Sequence, residues 1–237
     1  MVQKRIHACA FSIIGPDRLF GSPSRYSGIN IFQNHPCFNN TNLVNTEIAR
    51  CRAEILKARD RLSNHDRHEY STRICSTVNS LPEIKSDSTV LAYISFRSEV
   101  ETHQLIRDWT ASGMIVAVPR TDTADHRLET YILKDWNRDL TPGAYGILEP
   151  DPKKTLPIPP SRIDAVLVPG SVFDLKCGRY GYGGGFYDRF LSEAAPQAVR
   201  IGLAYSLQLL PEIALQPHDQ KMDIIVTESD SVRCMKH

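Results

Sequence analysis

Residues 163–191 read IDAVLVPGSVFDLKCGRYGYGGGFYDRFL, and this stretch decides the fold class. It opens with a continuous apolar run, Ile163 to Gly170, which is typical of a strand buried on both faces of a parallel sheet. Five glycines follow between Gly178 and Gly185. Phe186 to Ala195 then has the spacing of a helix. A buried strand, a glycine loop and a helix in this order indicate an α/β protein.

Apolar segments upstream and downstream extend the same sheet. Thr89–Phe96 and Met114–Pro119 are predicted strands, and the helical segment between them is closed by Gly113. A strand, helix and strand in sequence require parallel strands. Other strands are predicted at Leu128–Trp136, Arg200–Ser206 and Asp223–Glu228. Helices are predicted at Asp66–Leu81 and from Glu47, where Thr46 is the cap. A structured loop is predicted at Leu140–Pro160. We predict one three-layer α/β domain over residues 47–237, a mainly parallel central sheet flanked by helices.

Residues 1–46 differ in character, because Asn, Ser, Pro and Gly are frequent and no helix or strand period holds. We expect a poorly ordered N-terminal extension. A stretch after Lys4-Arg5 imitates a signal peptide, but His7 interrupts it and no cleavage pattern follows. Because Asp17 is the only acid of this basic segment, an organellar transit peptide stays open. A translation start near Leu43 or Val44 is the third alternative.

Composition excludes several functional classes. The 28 Lys and Arg nearly cancel the 27 Asp and Glu, so no global field favours nucleic acid or an anionic membrane. No apolar run approaches the roughly 20 residues of a membrane span. The six cysteines form no CxxC pair and no metal-like spacing with the eight histidines. We therefore expect reduced thiols in a cytoplasmic monomer whose partner is a small molecule.

The glycine cluster is the candidate binding site. Glycine inside an element costs about 0.5–1 kcal/mol relative to alanine, so five in eight positions indicate a need for bare backbone. A loop after a buried parallel strand lies at the sheet edge where α/β proteins bind ligands. Its N–H groups suit a phosphate, Arg179 adds a charged fork, and Asp188 is a candidate magnesium ligand.

Common nucleotide motifs fit this loop poorly. It lacks the Lys-Ser/Thr ending of a Walker A loop, and Phe186 stands where a dinucleotide loop would place its last glycine. Adjacent glycines also occur as a mobile turn without function. The residues by themselves therefore predict a phosphate site on an α/β sheet, with the mobile turn as the alternative.

The stretch VLVPGSVFDLKCGRYGYGGGFYDRFL (166–191) resembles the signature of the 5-formyltetrahydrofolate cyclo-ligase family, also called 5,10-methenyltetrahydrofolate synthetases. Five supporting pieces occur in the family's order: AEILKARDRLS, SFRSEVET, VAVPR, GILEP and MDIIVTE. The match runs from about residue 47 to residue 228. It implies an ATP- and magnesium-dependent enzyme that converts 5-formyltetrahydrofolate to 5,10-methenyltetrahydrofolate.

The resemblance also implies roles for particular residues, and most have a plainer alternative. Arg179 and Tyr187 would be catalytic, Asp188 and Asp223 would bind magnesium, and Ile94, Glu99, Tyr182 and Tyr187 would bind the folate. ATP would lie on Arg179, Tyr180, Gly181, Tyr182, Gly183, Gly184, Gly185, Phe186 and Tyr187. The alternatives are a strand-end cap for Asp223, a helix-start acid for Glu99, strand core for Ile94 and core packing for the aromatic residues.

One departure from the family pattern concerns the first helix. The family usually carries a K-x-x-x-R pattern that reaches the ATP phosphates, and its positions fall here on Ile48 and Arg52. Arg50 is a candidate substitute for the lysine. It lies two residues after Ile48, however, and this spacing turns its side chain about 200° around the helix from the lysine position. Arg120 is a further candidate phosphate contact. The otherwise basic face of this helix, including Arg59 and Arg61, is expected to be solvated.

Two functions from other classes compete with the enzyme. A regulatory module that binds a sugar phosphate or nucleotide would use the loop without chemistry, and the paired Asp188 and Asp223 argue against it. A nicotinamide dehydrogenase fails on the glycine pattern.

Overall fold

The computed structural model describes residues 41–143 and 146–234. The α-helices of the described residues are α1 (Thr41–Asp60), α2 (Asn64–Asn79), α3 (His103–Ala111), α4 (Trp136–Asp139) and α5 (Phe186–Arg189), which continues as a π-helix over Phe190–Ala194. The strands are β1 (Thr89–Leu91), β2 (Ile115–Asp122), β3 (Arg127–Ile132), β4 (Leu140–Pro142), β5 (Leu148–Pro150), β6 (Leu156–Pro157), β7 (Ala165–Val168), β8 (Val172–Asp174), β9 (Arg179–Tyr180), β10 (Val199–Leu203), β11 (Leu209–Leu210), β12 (Ile224–Val226) and β13 (Ser231–Arg233).

Within the described residues, the largest sheet has eight strands in the order β13-β12-β10-β7-β1-β2-β3-β6. The five central strands, β12 to β2, pair in parallel, and the outer strands pair antiparallel. The predicted strand–helix–strand unit is confirmed, because β1 and β2 are parallel neighbours on either side of α3 in the chain.

Alternate residues of the central strands face two separate cores. On one face Val90 and Leu167 pack in the same cluster as Ile106 of α3, and Ile74 of α2 joins them. On the other face Leu91, Ala117 and Val166 pack with Phe190 and Leu191 after the glycine loop. This alternation follows from the two-residue period of a strand. The predicted three-layer α/β architecture is confirmed.

Helix α1 packs beside the strands that carry the glycine loop. Ile48 and Ile55 are buried with Val172 and Tyr180, which belong to a small sheet in the order β11-β8-β9. The helix thereby meets β9 at the start of the loop. Ile48, at the family's usual lysine position, is 8% exposed and fills this small core.

Several predicted boundaries were wrong. α1 begins at Thr41, before the predicted start at Glu47, since Thr and Asn are also tolerated inside a helix. The first strand ends at Leu91. Beyond it, the Thr102 hydroxyl replaces strand pairing: it donates to the Tyr93 carbonyl at 2.6 Å and accepts from the Ser95 amide at 3.1 Å. β3 ends at Ile132, and Asp135 caps α4.

Two other segments also depart from prediction. The helix after the glycine loop is four α-helical residues followed by a π-helical turn, which the Ala195 amide closes on the Phe190 carbonyl at 2.9 Å. The predicted loop at 140–160 contains β4 and β5, which pair with each other, and β6, which joins the edge of the large sheet.

The expectation that the thiols are all reduced was wrong. Cys177 and Cys234 form a disulfide with a Cα–Cα distance of 6.2 Å. The two cysteines meet because the Met222 amide bonds to the Cys177 carbonyl and the Cys234 amide to the Asp223 carbonyl, at 2.9 and 3.0 Å. Strand pairing of this kind is invisible in cysteine spacing.

The predicted extension, residues 1–46, lies largely outside the described residues, and the division at residue 46 stays a prediction. No helix in residues 41–143 or 146–234 is both long and apolar enough to span a membrane.

Candidate active site at the glycine loop

The glycine loop joins β9 to α5 with a backbone that glycine accommodates most easily. Gly183 has φ +99° and Gly185 has φ +65°. Both angles lie in the left-handed region, where a side chain would strain the backbone. Gly183 and Gly184 are exposed to solvent. The cluster therefore shapes a loop whose backbone is open to a ligand.

Arg179 anchors the base of the loop. Its side chain is 2% exposed, and Nη2 donates to both carboxylate oxygens of Asp188 at 2.8 Å. Nη1 donates to the carbonyl of Pro169, just after β7, at 3.2 Å. The Nε atom is buried without a hydrogen-bond partner among the described residues. Arg179 thus joins the end of the central strand to α5 and retains one unused donor.

Arg52 reaches the loop from α1. Its guanidinium lies over the Tyr180 ring, 5.4 Å from the centroid. A Cβ built on Gly183 would lie 3.9 Å from Arg52 Nη1. The Nε atom of Arg52 is buried and has no hydrogen-bond partner within the part of the chain that the structure describes. Arg50, by contrast, is exposed and pairs with Glu54 at 2.9 Å, so these contacts turn it away from the loop.

The predicted folate residues Glu99 and Tyr182 meet on the other side of the loop. The Phe96 amide donates to Glu99 Oε2 at 2.9 Å. Burial raises the pKa of the Glu99 carboxyl, whereas hydrogen bonds from Tyr182 and Phe96 and the charge on Arg59 act in the opposite direction. Burial also raises the pKa of Tyr182, as does the charge on Glu99. Tyr182 is half-exposed, so the pair faces both protein and solvent.

The remaining aromatic and apolar candidates pack more deeply. Ile94 lies beyond the end of β1 and is 5% exposed in the core against α2 and α3, so it is a core residue outside the strand. Tyr187 packs against both cores, and burial raises the pKa of its hydroxyl. Phe186 packs against the second core and contacts His126 at 6.0 Å between ring centroids. The Tyr180 hydroxyl donates to the Ala214 carbonyl at 2.7 Å.

The two predicted metal carboxylates are engaged separately. Asp188 binds Arg179 and also accepts the Gln220 amide at 3.1 Å. Asp223 accepts the amide of Arg200 at 2.8 Å, the strand-end role that was its alternative. No group of three or more His, Cys, Asp or Glu suited to a metal occurs in the described residues. A cation held jointly by Asp188 and Asp223 therefore stays a prediction.

Arg120 lies on β2 and pairs with Glu129 of the neighbouring strand at 3.0 Å. This contact assigns its side chain to the β2–β3 hairpin. Among the described residues, no hydrogen bond or ion pair joins Arg120 to the glycine loop.

Sequence reasoning missed a buried arginine at the centre of the site. Arg59, expected to be solvated, is 4% exposed, and its Nη1 donates to the Tyr182 hydroxyl at 2.9 Å. Seven residues separate it from Arg52, about two helical turns, so both lie on one face of α1. That spacing was the available signal. Gln208, which donates to the Gly170 carbonyl at 2.9 Å, had no comparable signal.

A protein-family model described as the 5-formyltetrahydrofolate cyclo-ligase family matches residues 45–228, which contain the whole glycine loop and also Arg52 and Arg59 of α1. The chain belongs to this cyclo-ligase family. The predicted resemblance is confirmed, and with it the assignment to a family of enzymes.

Individual relatives agree with the family. The chain is 32% identical over 188 residues to the 5-formyltetrahydrofolate cyclo-ligase of Saccharomyces cerevisiae, covering 68% of this chain and 86% of the yeast protein. It is 30% identical over 197 residues to the mitochondrial 5-formyltetrahydrofolate cyclo-ligase of Arabidopsis thaliana, covering 70% of this chain and 68% of the plant protein.

A solved structure supports the fold of this cyclo-ligase family member. The NMR structure of Aquifex aeolicus 5,10-methenyltetrahydrofolate synthetase is similar, with a TM-score of 0.71 and 28% identity, over 80% of this chain and 94% of that one.

Proposed function

We propose that the chain catalyses the ATP- and magnesium-dependent conversion of 5-formyltetrahydrofolate to 5,10-methenyltetrahydrofolate, with ADP and phosphate as the other products. The observation that carries the proposal is the pair of arginines at the glycine loop. Arg52 and Arg179 each retain a buried Nε donor without a partner among the described residues. Buried donors are normally satisfied, so unpaired ones beside an open loop point to an anionic ligand.

The nucleotide would bind between α1 and the glycine loop. Gly183 supplies open backbone within reach of Arg52, and Arg179 holds the base of the loop rigid. Backbone N–H groups and guanidinium groups together suit triphosphate oxygens. Ile48 adds no charge here; its apolar side chain packs in the small core beneath the loop.

The folate would bind on the Glu99 side of the same loop. The pterin ring presents amino and ring N–H donors, and a carboxylate is their natural acceptor. Glu99 is held in place through its bond with the Phe96 amide, while Tyr182 offers an exposed aromatic face for stacking. Ile94 and Tyr187 would then form apolar packing beneath this pocket.

The chemistry explains why one site needs both ligands. The formyl group on N5 is an amide, whose oxygen is a poor leaving group. In the proposed reaction that oxygen attacks the γ-phosphorus and ADP departs; N10 then attacks the formyl carbon, loses its proton and expels phosphate. The protein's task is to position the two ligands and to stabilise charge on the phosphoryl group, which is the usual division in phosphoryl transfer. Arg52 and Arg179 are the candidates for the second task, and Tyr187 stays a candidate catalytic residue.

Magnesium enters the proposal as the ion that accompanies ATP. Because Arg179 occupies both oxygens of Asp188 and Asp223 binds a backbone amide, we assign no step to an ion held by these two side chains together. Asp188 is the better of the two candidates, since it adjoins the loop.

The decisive experiment follows the absorbance of the methenyl product. Purified chain is mixed with 5-formyltetrahydrofolate, ATP and magnesium, and parallel mixtures omit ATP or the metal. The proposal requires the product band only in the complete mixture. Binding of nucleotide and folate without any band would overturn it in favour of the regulatory module.

The remaining predictions belong to the same proposal. We propose a monomer that binds small molecules and neither nucleic acid nor a membrane. A cytoplasmic location is proposed. The alternative is organellar targeting by residues 1–46, which is consistent with the mitochondrial location of the Arabidopsis thaliana relative. Fluorescent fusion of the full chain, with and without residues 1–40, separates the two locations.

A further inference from the structure

Arg59 is a buried guanidinium whose partners lie on three different segments. Nε donates to the Ser98 hydroxyl at 3.1 Å, in the loop that follows β1. Nη1 donates to the Tyr182 hydroxyl of the glycine loop at 2.9 Å and to the Gly170 carbonyl after β7 at 3.4 Å. A buried charge is costly unless it is compensated, so an arginine in this position requires a nearby anion.

Two carboxylates lie near Arg59 through hydroxyl groups: Ser98 donates to Asp60, and Tyr182 lies between Arg59 and Glu99. Arg59 has no carboxylate within ion-pair distance among the described residues, but the Tyr182 hydroxyl contacts both Arg59 and the Glu99 carboxylate. Burial lowers the pKa of Arg59, but the interaction with Tyr182, which includes a hydrogen bond, and the charge on Glu99 act in the opposite direction, and the net shift is upward. A chain from arginine through a hydroxyl to a carboxylate therefore crosses the base of the proposed folate pocket.

We infer that Arg59 is a positioning residue for the folate: it holds the Tyr182 hydroxyl and, through Ser98, the loop that presents Glu99. The inference rests on the proposed function. One face of α1 then serves both ligands, with Arg52 beside the glycine loop and Arg59 two turns later beneath Glu99. Ser98 also donates to Asp60, which ties this loop to the end of the same helix.

The electrostatic surroundings of Glu99 give the inference a pH signature. Arg59 faces Glu99 from α1, Tyr182 from the glycine loop, Tyr93 from the segment after β1 and Tyr187 from α5. Of these, Arg59 is the cation, and its charge lowers the pKa of Glu99 against the effect of burial. Removing that charge should raise the pKa of Glu99 and protonate it at a higher pH, where it no longer accepts from the pterin.

The test measures the dissociation constant for 5-formyltetrahydrofolate by calorimetry between pH 5 and 8, together with KM and kcat. In Arg59→Gln we expect folate affinity and KM to worsen about tenfold or more, and the pH midpoint of binding to move upward. The kcat at saturating folate should change less. Arg61→Gln is the matched control, because Arg61 is exposed just beyond α1.

A second variant keeps the inference testable if Arg59→Gln folds poorly. Tyr182→Phe removes the intermediate hydroxyl at a half-exposed position, so the fold should survive. It should also move the midpoint upward, and the double variant should fall short of the sum of the single effects. An unchanged midpoint in both variants, in a wild-type chain that does turn over, overturns the role of Arg59 and leaves the proposed function standing. A wild-type chain that neither binds nor converts the folate overturns both.

Discussion

Asp188 and Arg179, at the glycine loop, form an ion pair that is mostly shielded from solvent. Asp188 is 14% exposed and its partner Arg179 is 2% exposed, so the pair is largely desolvated. In such a pair the loss of one charge leaves the other buried without compensation, at a cost of about 3–5 kcal/mol. Asp188 therefore has a structural role whether or not it also meets a cation.

Asp188→Asn should reduce turnover about 100-fold or more while folate affinity stays within about threefold, because the change releases Arg179 from its position beside the proposed phosphate site. The free energy of unfolding should fall as well. Asp223→Asn keeps an amide oxygen for the Arg200 amide and should cost less than about tenfold. Steady-state kinetics with a magnesium titration checks both variants. Equal losses with a shared rise in the magnesium requirement would contradict this and assign a joint metal site to the two carboxylates.

His103 provides a pH-dependent contribution to stability. Burial lowers the pKa of His103, the Arg107 charge acts in the same direction, and the bond to the Ser95 carbonyl opposes both. The unfolded chain therefore binds a proton more readily than the folded chain, so this contribution is present above the usual histidine pKa of about 6.5 and is lost as pH falls.

Urea unfolding between pH 7.5 and 5.5 checks the prediction for His103. The wild-type chain should lose stability toward pH 5.5, and His103→Gln should show a shallower loss over the same range. His65→Gln serves as the control, since His65 is exposed on α2. A pH slope that His103→Gln leaves intact would show that other groups carry it.

At the scale of elements, the site is built where α1, the glycine loop and the loop after β1 meet. None of these segments is held by the large sheet alone. α1 packs on the small β11-β8-β9 sheet, and Thr102 satisfies the backbone beyond β1. The site can therefore be perturbed through its loops without damage to the two main cores.

Gly183→Ala tests the shape of the loop. The left-handed backbone should cost about 1–3 kcal/mol with a side chain present, while the nearest atom, Arg52 Nη1 at 3.9 Å, causes no clash. We expect a similar loss of stability and a raised KM for ATP. Gly113→Ala is a close control, because Gly113 has φ +88° with nothing within 4 Å and lies after α3, away from the loop. Equal KM values for ATP in the two variants would argue against the loop as the nucleotide site.

At the scale of the whole molecule, the disulfide joins the base of the glycine loop to the last strand. Cys177 directly precedes Gly178, and Cys234 follows β13, 57 residues away in sequence. Closing a loop of this length restricts the unfolded chain and stabilises the fold by about 2–4 kcal/mol.

Reduction of the wild-type chain should therefore lower its free energy of unfolding by about 2–4 kcal/mol. Cys234→Ser should show the same loss and should no longer respond to dithiothreitol. Chemical denaturation with and without reductant measures both. If the reductant does not change the stability of the wild-type chain, the disulfide does not form in solution, and the thiols are reduced as the sequence predicted.

Local pattern was enough to predict the framework of this protein. The apolar run at 163–170, the glycines and the strand–helix–strand unit require a parallel α/β sheet, because period and turn chemistry act over neighbouring residues. The ordered motifs were sufficient for the family. Element ends were less certain, since Thr102 stops β1 through contacts that no local pattern contains.

Only the tertiary structure decided which side chains of the site contact one another. Arg59 and Tyr182 are 123 residues apart, and Cys177 and Cys234 are 57 apart, so only packing brings either pair together. Asp188 and Arg179 are close in sequence, but no local pattern predicted that the carboxylate would lie against the guanidinium. Sequence pattern determines which residues can be buried. Which buried charges face one another depends on how helices and loops dock, because that geometry sets each group's desolvation and partners.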